Sequence, residues 1–240
     1  MFTSQLLASS AESDKLMHYS FDFSVIWDNF GVLIAGAWLT LRLSLLAVAF
    51  GLVIGIIGSL FRTSGNRLLN GIALAYVEII RNTPYLIQLF FIFFGLPALG
   101  LKLSAEQAAI VSLAINFGAY STEIVRAGVE SIPKGQVEAG LAIGFNKLDV
   151  FRHIVIPPAL ANIYSSLVGQ VILAVLFTSV VSQIAAEDLT YAGNYLDART
   201  FRSFEIYFTL AILYLAIVWI VKALAYVIEA RFFEFAKYRQ

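Results

Sequence analysis

The sequence predicts an all-α, polytopic membrane protein: five transmembrane helices, with one cytoplasmic helix held out of the membrane between the third and fourth spans. Three observations predict it. Of the 240 residues, 60% are hydrophobic and 13% charged, whereas soluble domains average about 25% charged. Five apolar stretches reach the roughly 20 residues that a helix needs to cross the hydrocarbon core. The cations between those stretches fall mostly on alternate loops, the pattern that sets topology.

The five stretches are residues 31–61, 68–96, 105–125, 159–185 and 204–230. In the first, Gly51, Gly55 and Gly58 form a ridge of small residues, which predicts close helix packing inside the bundle. In the second, Pro84 removes a backbone donor and clashes with the carbonyl of Ile80, so a kink is expected. Asn82 and Thr83 are placed to bond the groups that a kink exposes. The same stretch spaces Glu78, Arg81, Tyr85 and Gln88 at i, i+3, i+7 and i+10, one helical face. The third stretch does likewise with Ser112, Asn116, Tyr120 and Glu123, and the fourth carries Gln170, Thr178, Ser179, Ser182 and Gln183. Arg42 and Lys222 read as cations that snorkel or pack. Residues 1–30 read as an outer segment with an interfacial helix around 21–30, and 31–240 as the membrane domain. Residues 1–15 lack the basic and then apolar pattern of a cleavable signal peptide.

One set of loops holds nine cations: Arg62, Arg67, Arg126, Lys134, Lys147, Arg152, Arg231, Lys237 and Arg239. The other set holds four, Lys15, Lys102, Arg199 and Arg202, with most of the loop acids. This bias places the N-terminus outside and the C-terminus in the cytoplasm.

A lone charge at the centre of a span costs about 2.5–3.5 kcal/mol on an insertion scale, so Glu78 and Arg81 need a reason. In one reading they neutralise each other and only hold helices together. In the other they line a wet path, where a carboxylate and a guanidinium await a zwitterion; polar faces on three helices favour it. The path residues so predicted are Glu78, Arg81, Asn82, Thr83, Gln88, Asn116, Thr178 and Ser179. An odd number of spans without an internal repeat points to a second chain completing the path.

Several functions are excluded. There is no cysteine, and the two histidines, His18 and His153, lie far apart with no metal-ligand spacing. HExxH, GxSxG and GxxxxGK[ST] are all missing, and the spans hold neither Asp nor His. Catalysis by this chain is not expected. A formal net charge of zero argues against nucleic acid as a partner.

Between the third and fourth spans comes GQVEAGLAIGFNKLDVFRHIVIPPAL, residues 135–160. Pro133 suits the start of a helix. Val137, Leu141, Phe145 and Leu148 form an apolar stripe; Gln136, Gly140 and Gly144 lie on an adjoining face, where glycines let another backbone approach. Gly144 equally suits a C-terminal cap. Pro157 and Pro158 are expected to stop the helix before the fourth span. Glu138 and Asp149 balance Lys134 and Lys147, so docking in a partner's groove is preferred over lying on lipid.

This segment resembles the EAA loop of binding-protein-dependent ABC importer permeases, whose pattern is E-A-A, three residues, G and a later I-x-L-P. Here the pattern reads Glu138-Ala139-Gly140, then Gly144, then Ile154-Val155-Ile156-Pro157, with Gly140 replacing alanine and Ile156 replacing leucine. YVEIIRNTP, AYSTEIVRAGVESIPKGQ and FEIYFTLAILY extend the resemblance to the polar amino acid (histidine/glutamine-type) branch over about residues 34–234. The resemblance implies a bacterial inner-membrane permease with five spans and its N-terminus outside. It implies that Glu138, Ala139, Gly140 and Gly144, with Gln136 beside them, form a coupling helix seated in a separate ATPase subunit. Two such ATPases would carry the ATP and magnesium; no cofactor is expected on this chain. The further partners implied are a second permease chain, identical or related, a periplasmic or lipid-anchored amino-acid-binding protein, and membrane lipid. Relatives hold substrate near the positions of Glu78, Arg81, Thr178 and Ser179. Where many relatives read K-D-T-S, this chain reads Leu176-Phe177-Thr178-Ser179, and the acid that would meet a cationic side chain is absent. The expectation is a non-basic amino acid, or a non-binding place in a mixed permease pair. The residues alone also fit an ion-coupled carrier acting as a homo-oligomer, with Glu78 and Glu123 as proton or sodium sites. That reading leaves the cytoplasmic segment without a role.

Overall fold

The computed structural model describes residues 20–232, whose regular elements are all helices. The expectation about a signal peptide, and the charges of Lys15, Lys237 and Arg239, lie outside the described residues. In chain order the elements are α1 (Ser24–Asp28), α2 (Phe30–Thr63), α3 (Arg67–Arg81), α4 (Tyr85–Phe90), α5 (Ala105–Glu130), α6 (Lys134–Ala142), α7 (Lys147–Val150), α8 (Ile156–Val181), α9 (Leu189–Thr200) and α10 (Ser203–Phe232). A π turn (Phe91–Gly95) and a 3-10 turn (Leu96–Leu99) extend α4; a second π turn (Phe151–Val155) joins α7 to α8.

Four helical runs are long and apolar enough to cross a membrane: Phe30–Thr63, Ala105–Glu130, Lys147–Ile184 and Ser203–Phe232. They match the expected first, third, fourth and fifth spans. The expected second span is broken: α3 and the run Tyr85–Leu99 meet at 108°. Pro84, with an extended ψ of 136°, precedes α4 and offers no N–H. Polar side chains take up the carbonyls that the break frees. Thr83 Oγ1 donates to Ile79 O at 2.8 Å and Gln88 Nε2 to Ile80 O at 2.7 Å, while Asn82 Nδ2 adds a second bond, at 2.8 Å, to Glu78 O, which already accepts from Asn82 N. The kink was legible at Pro84; the single polar face drawn across it does not exist, because α4 turns away from α3.

The bundle is built on α2 against α5. A Cβ at Gly51 would sit 2.8 Å from Ala114 O, one at Gly55 2.5 Å from Ser121 Cβ, and one at Gly58 would strike Thr122. The glycine ridge therefore brings two backbones together within one chain, as expected. Leu43, Ala47, Leu89, Leu113 and Val181 form one apolar core, and Leu33, Val175, Leu189, Leu196 and Ile206 another.

Three features depart from expectation. The interfacial helix around 21–30 is the single turn α1, tied to the start of α10 by Asp22 N donating to Glu205 Oε1 at 2.8 Å and by Phe21 against Phe204. Pro157 and Pro158 do not stop a helix: they open α8 directly after the π turn, where their missing donors cost no α-helical bond. Finally, α9 occupies what read as an outer loop, with Gly36 of α2 admitting the backbone of Asp188 and Leu189, 2.9 Å from where a Cβ would stand.

Candidate functional site

The break between α3 and α4 gathers three of the predicted path residues. Gln88 Nε2 donates to Thr83 Oγ1 at 2.8 Å, and Gln88 Oε1 accepts from Asn116 Nδ2 at 2.9 Å. Both amides are buried, and the Tyr85 hydroxyl reaches Ser112 Oγ at 3.1 Å one turn away. These satisfied bonds tie α5 to the break. Glu78 and Arg81 are not a pair. Glu78 accepts from Asn82 Nδ2 at 2.8 Å, whereas the Arg81 guanidinium lies 5.2 Å from the Tyr120 ring centre, a cation–π contact. Both stand in the last turn of α3, but Glu78 turns to the C-cap Asn82 and Arg81 to Tyr120 of α5.

Arg81 thereby enters a cleft of about 360 Å³, shared with Tyr120, Glu123, Ser131, Asn162 and Ser166. Glu123 is clamped by two arginines from different helices, Arg62 Nε at 3.1 Å and Arg126 Nη2 at 2.7 Å. Arg126 also pairs with Glu130, and Asn162 Nδ2 donates to Ser131 Oγ at 2.9 Å. A carboxylate held by two guanidiniums has little attraction left for a cation, so Glu123 is a poor proton or sodium site. The cleft offers a guanidinium over an aromatic face with amide and hydroxyl groups nearby, a set that suits a carboxylate. Ser131, Asn162 and Ser166 were missed in the sequence: Ser131 caps the end of α5, while Asn162 and Ser166 precede Gln170 at i, i+4 and i+8 on α8, a spacing that was available as a signal.

Thr178 and Ser179 are not brought to this group. Thr178 is fully buried and donates to Val175 O at 2.7 Å; Ser179 donates to Leu176 O at 2.7 Å. Both hydroxyls serve their own helix. Nearby lies a cluster that sequence reasoning missed. Asp188, fully buried, accepts from Tyr191 N at 3.0 Å as the N-cap of α9 and from the Tyr214 hydroxyl at 2.9 Å. Tyr214 in turn lies 2.8 Å from Thr190 Oγ1. Burial pushes the Asp188 carboxyl above its ordinary range, against these hydrogen bonds, which lower it. The available signal was an Asp just ahead of a helical run.

The segment between the third and fourth spans is two short helices and a tight turn. α6 begins after Pro133, as expected, and ends at Ala142. Gly144 caps it at φ +94°, with Phe145 N donating to Gly140 O at 3.1 Å and Gly144 N to Leu141 O at 3.1 Å, a Schellman closure. Asn146 then caps α7. The predicted stripe from Val137 to Leu148 is thus split: Val137 packs on Ile132, Val150 and Val155, while Leu141, Phe145 and Leu148 are exposed. Gly140 is buried, facing Val150 and Ile154 of its own chain. Gln136 is half-buried, and Glu138 and Ala139 lie open. Glu138, Leu141, Ile143 and Leu148 together form an exposed, mixed surface on a rooted scaffold.

Comparison with known proteins places these features. The sequence profile described as "Binding-protein-dependent transport system inner membrane component" matches residues 47–234. The chain is 39% identical over 213 residues to the glutamine transport system permease protein GlnP of Escherichia coli K12, covering 88% of this chain and 97% of the relative. It is 34% identical over 194 residues to the probable glutamine ABC transporter permease protein GlnM of Bacillus subtilis, covering 81% and 90%. A crystal structure of an amino acid ABC transporter with histidines superposes with a TM-score of 0.82 at 33% identity, over 89% of this chain and 100% of the other. An inward-facing MetNI methionine ABC transporter superposes with a TM-score of 0.69 at 25% identity, over 83% and 95%.

Proposed function

The chain belongs to the family of binding-protein-dependent transport system inner membrane components, and on that premise we propose that it is the permease subunit of an ATP-driven importer of a polar, uncharged amino acid, glutamine foremost. Residues 31–240 form the membrane domain, with the N-terminus outside and the C-terminus in the cytoplasm, as the loop cations favour. A second permease chain completes the path, two ATPase subunits bind ATP and magnesium, and an external binding protein delivers the amino acid.

One observation carries the coupling: α6 and its cap expose Glu138, Ala139, Leu141 and Ile143, while Gly140, packed on Val150 and Ile154, fixes it to the root of α8. An exposed helix rigidly joined to a spanning helix converts a push on its surface into movement of that span. The substrate path runs along the break in the second span, past Glu78, Arg81, Asn82, Thr83, Gln88 and Asn116, with Thr178 and Ser179 on the fourth span behind it. Broken helices are where such proteins tolerate irregular backbone at membrane depth. The glutamine assignment is supported by the names of the relatives and by Arg81 as a cation for the substrate carboxylate; Glu123 is neutralised by two arginines, and the run Leu176-Phe177-Thr178-Ser179 supplies no acid on the fourth span.

The test is uptake of labelled glutamine into proteoliposomes holding this chain with its ATPase, the binding protein and a fixed ATP supply. Uptake is expected to persist when the proton gradient is collapsed and to stop without ATP. Loss of uptake with the gradient, at constant ATP, would favour the ion-coupled carrier instead.

A further inference from the structure

An apolar groove of about 220 Å³ lies between α2 and α3, floored by Gly58 and walled by Ile54, Ile57, Phe61, Ile72, Ala73 and Tyr76. Tyr76 turns its hydroxyl inward, donating to Ile115 O at 2.6 Å, so the wall is wholly apolar. Ile57 and Ile72 are 47% and 55% exposed, which puts the groove on the outside of the bundle. Its depth comes from two small residues: Gly58, pressed against Thr122, and Ala73, buried.

The rim of this groove is cationic at one end. Arg62, next to Phe61, reaches across to Asn70 Oδ1, one turn before Ala73, while its Nε stays on Glu123. Arg67 opens α3, is exposed, and makes no ion pair among the described residues. No Asp or Glu occurs between Asp28 and Glu78, so nothing local on either helix compensates Arg67.

We infer that this groove holds one acyl chain of an anionic phospholipid, whose headgroup phosphate meets Arg67. The slot takes hydrocarbon and the rim takes negative charge. An arginine fork matches phosphate oxygens in pairs. In the orientation proposed above, the rim faces the cytoplasmic leaflet, where anionic lipids attract basic residues at the membrane surface. A second copy of this chain is the poorer occupant, because the two helices that would meet across a two-fold contact carry cations and no acid between Asp28 and Glu78 to pair with them.

The test is native mass spectrometry of the complete transporter released from nanodiscs of equal phosphatidylglycerol and phosphatidylcholine. Both leaflets then carry both lipids, so the result does not depend on the orientation or on the transport reading. The expected result is retained phosphatidylglycerol, favoured over phosphatidylcholine by about fivefold per arginine engaged. Arg67→Gln, a surface change that leaves folding intact, is expected to lose about fivefold of that preference. Ile72→Trp is expected to lower retention of both lipids by obstructing the slot. Equal retention of the two lipids, a preference unmoved by Arg67→Gln, or a disulfide between two copies through Ile72→Cys would each overturn the inference.

Discussion

Gly144 shows how far one residue can be read and where reading stops. As a possible cap it was legible, because glycine after an apolar helical run suits the left-handed region; φ +94° and the Schellman bonds establish it. An L side chain there costs roughly 1–2 kcal/mol, so Gly144→Ala is expected to loosen the turn between α6 and α7. Reconstituted complexes should then hydrolyse ATP with weaker coupling to uptake, measured as amino acid moved per ATP split. Asp188 was not legible, since nothing in an outer-loop sequence tells a buried carboxylate from a solvated one. Its raised pKa fixes the sign of a second prediction. The folded chain holds this proton to higher pH than the unfolded chain. The associated stability is therefore full below the ordinary value of 3.8 and is lost as pH rises through the raised value. Asp188→Asn keeps an N-cap and removes the titration, so thermal melting should vary less with pH between 3.8 and the raised value than in the wild type. Asp188→Ala should instead lower stability by about 1 kcal/mol for the cap, and by more for the Tyr214 hydroxyl left without its acceptor.

At the scale of elements, the spans were legible from apolar length, and the glycine ridge from the spacing of small residues. Gly55→Val places its first carbon 2.5 Å from Ser121 Cβ, with further methyls beyond it. Overpacking of this kind costs about 1–3 kcal/mol or more, and loss of the folded chain from detergent extracts, read by size-exclusion profile, is expected. The break in the second span was only half legible. Pro84 tells that the hydrogen-bond ladder stops, but the 108° turn depends on Gln88, which bonds Ile80 O, Thr83 O and Thr83 Oγ1 from the far side. Gln88→Leu should therefore open the angle more than Pro84→Ala does. Spin labels on the outward ends of α3 and α4, with their separation read by double electron–electron resonance, would rank the two. An unchanged separation in Gln88→Leu would contradict this. The same limit explains Pro157 and Pro158: they mark a place where bonds are missing, and whether the helix stops or merely restarts depends on the π turn before them.

At the scale of the molecule, an exposed helix between the third and fourth spans, a broken span beside a cleft that Arg81 enters, and apolar outer faces belong to one machine only if force enters at α6 and leaves at the break. The order of elements was largely legible, because apolar length and charge bias act along the chain. The pairing of the polar side chains was not, because Arg81 and Glu123 find partners on other helices, while Glu78 takes the cap residue Asn82 in place of Arg81. The most direct measurement is whether a soluble ATPase co-purifies with the tagged chain expressed alongside it. Near-equal recovery with the wild type is predicted, with a drop of about tenfold, or ~1.4 kcal/mol, for Glu138→Lys. No ATPase with either form, or equal recovery with both, would contradict coupling through α6.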